Sequence, residues 1–278
     1  MGSEMCIRDS ALTGIFARLN TQIDTVFLSK LGCVNTAACE ANVGIYSVAS
    51  KITLAIQFIP LAFVAALFPA MSEYFVSDKE KLARTFEKAM RYLMIIGFPI
   101  AAGVIVLSPD FVPKVFGYDF KNSILPLQIL MISLTFIFLT FPIGSFLNAT
   151  SRQMRNTFNV GVAVLINIIL NLILIPKFTY NGAALASLIS TLVILILGLW
   201  AVPKVVKYNK RYLILSFAKS LFAALVMSAL LYPLLGKLHF VILAVLGAVT
   251  YFLTLFLISG LKKNDIQDLF MSFKIGKR

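Results

Sequence analysis

Residues 167–187 read NIILNLILIPKFTYNGAALAS. Asn167 and Asn171 stand at i and i+4 in a run otherwise made of Ile and Leu, so both amides project from one face of a helix. An amide facing lipid finds no partner, whereas an interhelical pair contributes about 0.6 to 2 kcal/mol. The Asn face therefore points toward a neighbouring helix or a wet cavity. Pro176 then stops the helix, a polar segment turns the chain, and Gly182, Ala183 and Ala184 open the next helix. The stretch reads as two membrane spans joined by a short hairpin, with their polar groups turned inward.

The remainder of the chain agrees with a membrane setting. Hydrophobic residues make up 59% and charged residues 13%, with a mean hydropathy of +0.91, far from the balance of a water-soluble domain. A spanning helix needs about 20 mainly apolar residues. Eight segments qualify: 11–31, 41–71, 90–107, 124–148, 157–175, 182–203, 213–235 and 238–260. The fold class is thus all-α, a polytopic membrane helix bundle. The first span is the least apolar, since it carries Arg18, Asn20, Thr21, Gln22 and Asp24. Residues 1–10, MGSEMCIRDS, match no targeting pattern and read as a foreign or fragmentary leader, with a natural N-terminal portion expected to be missing.

The formal net charge is +13, and its distribution follows the loops. With the start placed inside, the inner segments hold Lys79, Lys81, Arg84, Lys88 and Arg91, then Arg152 and Arg155, then Lys204, Lys207, Lys210 and Arg211, and finally the basic tail 261–278. The outer loops hold only Lys114, Lys121, Lys177 and Lys237, with Lys30 at a helix end. Both ends of the chain are therefore expected in the cytoplasm, the protein in the plasma membrane, and the inner cations against lipid headgroups. No nucleic-acid partner is needed to explain the charge. Cys33 and Cys39 share an outer loop, where either a disulfide or two free thiols fits the spacing.

Between spans, SEYFVSDKEKLARTFEKAMR (72–91) is amphipathic and reads as an inner linker helix, with Tyr74, Phe75, Leu82 and Phe86 on the membrane interface. No cluster of nucleophile, base and metal ligands accompanies the single His239, so no catalytic residue is assigned and an enzyme is not expected. The charges in the first two spans are more telling. Arg18, Asp24 and Lys51 each cost at least about 2.5 to 3.5 kcal/mol at a lipid-facing midplane position. Around Lys51, the residues Asn42, Tyr46, Ser50, Thr53 and Gln57 form a polar stripe at helical spacing. That pattern suits a hydrophilic lumen; the alternative is an internal ion pair between Asp24 and Arg18 or Lys51 that merely permits packing.

Three segments together carry a family resemblance: VGIYSVASKITLAIQFIPLAFVAALFPAMSEYF (43–75), FLNATSRQMRNT (146–157) and NIILNLILIPKFTYNGAALASLIS (167–190). In this order they resemble the polysaccharide and O-antigen flippases of the multidrug/oligosaccharidyl-lipid/polysaccharide exporter superfamily. The resemblance implies that residues 11–203 are the six-helix C-terminal lobe of a two-lobe transporter, 204–260 two additional peripheral helices, and the partner a missing N-terminal lobe. The implied cargo is a polyprenyl-pyrophosphate-linked oligosaccharide, moved across the membrane by alternating access. Arg18 and Lys51 would then attract the pyrophosphate, and Asn42, Tyr46, Ser50 and Gln57 the sugar hydroxyls.

The resemblance also implies sodium or proton coupling and no organic cofactor. In the lipid-linked peptidoglycan-precursor branch a sodium site maps onto Asp24, Asn167, Asn171, the Ala183 carbonyl and Ser187, oxygen donors suited to a hard cation. This chain departs from the branch at Asn171, where a carboxylate is expected. The alternative for the two asparagines is a helix-packing contact. Two other functions stand beside the flippase: a drug or metabolite antiporter of the same superfamily, and a membrane-embedded glycan polymerase or acyltransferase.

Overall fold

The structure is a computed structural model that describes residues 19, 22–31, 36–258 and 260. The leader, Arg18, Cys33 and the basic tail lie outside the described residues. Within them the chain is a succession of helices: α1 (22–31), α2 (Thr36–Ile56), α3 (Phe58–Ser77), α4 (Lys79–Phe116), α5 (Ile124–Ala149), α6 (Gln153–Ala201), α7 (Lys210–Leu231) and α8 (Phe240–Leu257). Among the described residues, six stretches are long and apolar enough to cross a membrane. One of them, Gln153–Lys204, contains both expected spans 157–175 and 182–203, so each expected span from the second to the eighth has a helical counterpart. Outward-facing Leu165, Ile169, Leu172, Ile196, Leu225 and Val245 are exposed, an apolar coat suited to lipid.

The α6 helix doubles back on itself. Thr179 at φ 48° and ψ −127° breaks its helical path, three residues after Pro176. A straight helix would hold Asn167 and Ser190 about 34 Å apart, yet Asn167 Nδ2 lies 3.3 Å from Ser190 Oγ. The hairpin closes tightly because Gly182 has no Cβ: one there would stand 2.9 Å from the Ile175 nitrogen and closer still to the Leu174 carbonyl. The second and third helices form one long rod with a local distortion at Gln57. Pro60 has no N–H to give to the Ile56 carbonyl, and the Gln57 N–H is shared between the Thr53 and Leu54 carbonyls at 3.2 Å each.

The linker 72–91 differs from expectation. Rather than a separate interfacial helix, it is the end of α3 and the first turns of α4, joined at Asp78, whose side chain caps α4 by accepting from the Glu80 and Lys81 N–H groups at 3.0 Å. The Lys81 N–H in particular holds the Asp78 carboxyl below its usual range. Leu82 and Phe86 are fully buried instead of meeting lipid; Phe86 packs on Phe146 at 5.1 Å and Tyr208 at 5.5 Å. An amphipathic pattern gives the buried face but not what covers it.

The α7 helix lies on α4, with Phe217 edge-on to Phe98 at 5.1 Å, and α8 packs on α7, where Gly247 admits Leu231 and Met227. Buried Arg91 fastens this pair to the bundle, donating to Tyr212 OH and to the Gly260 carbonyl at 2.7 Å each. Close approach elsewhere also depends on small residues, Gly97 beneath Phe138 and Gly198 beneath Ile143, as expected where packing rather than water expulsion holds helices together. Cys39 is disulfide-bonded; both other cysteines lie outside the described residues.

Candidate functional site

The α6 hairpin brings its polar groups onto α1. Asp24 is 1% exposed and its carboxylate accepts three hydrogen bonds: from Tyr46 OH at 2.8 Å, from Asn171 Nδ2 at 2.7 Å and from Ser187 Oγ. Asn171 Nδ2 also donates to Asn167 Oδ1 at 2.8 Å, and Asn167 donates onward to Ser190. Thr191 Oγ1 donates to the Ser187 carbonyl at 2.8 Å and receives the Ser133 hydroxyl at 3.1 Å. One continuous network thus ties α1, α2, α5 and both arms of α6. The low dielectric that strengthens these bonds also makes any unpartnered member costly.

One member is unpartnered. Asn171 Oδ1 is buried without a hydrogen bond, while its Nδ2 serves two acceptors. A half-turn of this amide would exchange a donor for an oxygen beside Asp24. With Asn167 Oδ1 and Ser187 Oγ in the same network, the donor set is all oxygen with a single carboxylate, a type that suits a hard monovalent cation; Ala183, one turn before Ser187, is buried. Among the described residues there is no group of three or more His, Cys, Asp or Glu that could hold a metal ion.

Beside this junction runs a cleft of about 710 Å³, walled by the α2–α3 rod, α5 and both arms of α6. Asp24, Gln22 and Thr25 stand at one end with Ser50, Lys51 and Gln57. Lys51 is exposed to the cleft and Ser50 half-buried. Tyr46 also lines it, but is 2% exposed with its hydroxyl given to Asp24. Asn42, one turn earlier on α2, is half-buried and absent from the lining. The proposed pyrophosphate partner Arg18 lies outside the described residues.

Sequence reasoning missed several lining groups: Gln22 and Thr25 on α1, Ser133 and Thr191 between α5 and α6, and Ser145, Asn148 and Asn156 at the far end. Asn148 and Asn156 sit either side of the α5–α6 turn, where amides ordinarily read as loop residues. Their shared cleft becomes visible only when the two helices are placed side by side.

These features define a multi-pass helical membrane protein of transporter type, with a membrane-depth cleft and a buried polar junction between helices. Residues 10–253 match the family described as Lipid II flippase MurJ, and the chain belongs to that family. It is 30% identical over 239 residues to the probable flippase AglR of Haloferax volcanii, covering 82% of this chain and 49% of that protein. It is 31% identical over 167 residues to the lipopolysaccharide biosynthesis protein WzxC of Escherichia coli K12, covering 59% and 31%. The fold is similar to that of a solved structure described as lipid II flippase MurJ, inward closed conformation, with a TM-score of 0.72 at 19% identity over 87% of this chain and 51% of that one. The chain spans between 31% and 51% of the length of these proteins.

Proposed function

We propose that this chain forms the C-terminal lobe of a flippase that carries a polyprenyl-pyrophosphate-linked oligosaccharide across the cytoplasmic membrane for cell-surface polysaccharide synthesis, both ends of the chain facing the cytoplasm. The observation that carries the reading is the cleft itself, with Lys51 the only Lys or Arg among its described lining residues. A cation facing a sheltered, partly apolar groove favours an anionic headgroup through charge-assisted hydrogen bonds. The flippase relatives support the same cargo class, and they do not favour the antiporter or the polymerase and acyltransferase readings. A second lobe, supplied by sequence beyond this chain, would close the cleft and rock against it.

In this reading Gln22, Ser50 and Gln57 orient the headgroup around Lys51. Tyr46 takes a different part from the sugar contact assigned to it by resemblance. Its hydroxyl links α2, which carries Lys51, to Asp24, so a change in the junction is felt one turn away in the cleft. A sodium ion bound there would supply a positive charge beside Asp24, with Asn167, Asn171, Ser187 and the Ala183 carbonyl as the remaining oxygens. The single carboxylate implies weaker ion affinity than a site with two.

Two measurements test this. Lys51→Ala in the purified chain should weaken binding of a short-chain prenyl pyrophosphate about tenfold, the loss of one charge-assisted contact of roughly 1.4 kcal/mol; unchanged affinity would remove Lys51 from the headgroup site. Sodium, against equal choline, should raise the thermal midpoint of the wild type, because a ligand held only by the folded state stabilises it by about 2.7 kcal/mol at a hundredfold excess over Kd. Asp24→Asn should erase that protection. Equal protection in both proteins would rule the ion site out.

A further inference from the structure

The far end of the cleft carries polar groups that take no part in holding a pyrophosphate or a cation. Asn156 Nδ2 donates to Asn148 Oδ1 at 3.3 Å across the α5–α6 turn, which leaves the Asn148 amide N–H groups and the Asn156 carbonyl oxygen without another hydrogen bond among the described residues. Ser145 Oγ, on the last turns of α5, is buried and has no partner. Gly144 keeps the wall open beside this pair: a Cβ there would stand 3.6 Å from both polar atoms of the Asn156 amide. In a membrane bundle, amides lining a cavity are costly unless water or a ligand completes their hydrogen bonds, and the enclosed Ser145 hydroxyl reaches such a partner only by rotating toward the cleft.

The chemistry of this end differs from that of the other. Lys51 is the only Lys or Arg lining the cleft among the described residues. Ser123 Oγ donates to the Ile45 carbonyl at 2.8 Å, which sets the start of α5 beside the first turns of α2, and α5 then packs along both α2 and α3. Lys51 is then level with the turn at Leu130, and Asn148 lies five turns further on, about 27 Å away. Between the two ends the walls are apolar and partly aromatic: Leu61, Val64, Phe68, Ile137 and Phe141. Uncharged amides offer donors and acceptors side by side, which suits a neutral, hydroxyl-rich ligand; Arg152 and Arg155 lie in the same turn but not among the cleft-lining residues, and the Arg155 guanidinium sits over Trp200. A mainly apolar groove with a few placed polar groups is the usual build of a site that fixes ligand orientation.

We infer that Ser145, Asn148 and Asn156 form a recognition station for the carrier-distal sugars of the oligosaccharide, engaged while its pyrophosphate sits at Lys51. This rests on the flippase reading and adds a property to it: the cleft measures glycan length as well as charge. A short glycan leaves the station unfilled. A longer one reaches it, its ring faces lying along Phe68 and Phe141 and its hydroxyl groups meeting the amides.

The test uses the purified chain in lipid nanodiscs and short-chain prenyl pyrophosphates bearing no sugar, one sugar, or about four to five sugars. Wild type should bind the longest probe about tenfold more tightly than the sugar-free one, a gain of roughly 1.4 kcal/mol. Asn148→Ala, at an exposed position, should remove that gain and leave the sugar-free probe unchanged; Ser145→Ala should remove part of it, and Asn148→Gln, which keeps an acceptor for Asn156, should restore part of it. Undiminished affinity of Asn148→Ala for the longest probe overturns the station, as does an equal loss with all three probes. Failure of wild type to bind any pyrophosphate probe overturns instead the flippase reading beneath it.

Discussion

Gly182→Val is expected to yield little or no folded protein. The α6 hairpin brings its second arm so close to the first that a Cβ at residue 182 would fall on the Leu174 carbonyl and 2.9 Å from the Ile175 nitrogen. Both obstacles are backbone, held in the helix by its own hydrogen bonds, so neither moves without opening the hairpin. Overpacking of a core typically costs 1 to 3 kcal/mol when flexible side chains give way; here the cost should exceed about 3 kcal/mol because nothing flexible is in the path. Opening the hairpin would also withdraw Ser187 and Ser190 from Asp24 and Asn167. Gly182→Ala carries the same Cβ and should fail similarly, while Gly103→Ala, with open space around it, should fold normally. Size-exclusion profiles and thermal midpoints of the three variants check this, and a well-folded Gly182→Ala would contradict the tight hairpin.

Asp24→Ala should be the next most damaging change. It orphans three buried donors at once, those of Tyr46, Asn171 and Ser187. Each unsatisfied buried group costs about 1 to 3 kcal/mol; partial relaxation among three neighbours brings the expected total to about 3 to 5 kcal/mol, the range seen when one side of a buried polar pairing is removed. Asp24→Asn keeps one acceptor oxygen and the side-chain shape, so it should be clearly milder in stability while abolishing sodium protection. The contrast separates a structural knot from an ion site. A double-mutant cycle of Asp24→Ala with Asn171→Ala should show a coupling of about 0.5 to 3 kcal/mol, and additive effects would mean that the carboxylate and amide do not depend on each other.

Much of the architecture was legible in the chain because a bilayer imposes lengths. Spans of about 20 apolar residues bounded by basic loops stand out by composition alone, and the expected segments from 41–71 onward have helical counterparts. The hairpin was legible too, from Pro176 and Gly182, two residues whose backbone restrictions act locally. Linker 72–91 was misread for the opposite reason: its periodicity shows that Leu82 and Phe86 share an apolar face, but lipid and protein are equally apolar partners. Only the arrival of Phe146 and Tyr208 selects the second.

The candidate site divides along the same line. Asn167 and Asn171 at i and i+4 determined by themselves that a polar face is buried, since the spacing is short enough for one helix to fix it. The likeness to a flippase family nominated Asp24 and Ser187 as their partners. That Asp24 meets Asn171 across 147 residues, that Tyr46 spends its hydroxyl there, and that Asn171 keeps one oxygen unpartnered were decided by the tertiary structure. The two ends of the cleft belong to that level as well. Lys51 announced itself as a charge in an apolar run, whereas Ser145, Asn148 and Asn156 are ordinary loop-edge residues until α5 and α6 pack against the α2–α3 rod. Helix identity is set by local backbone and solvation energies along the chain; which faces meet is set by contacts that no local pattern encodes.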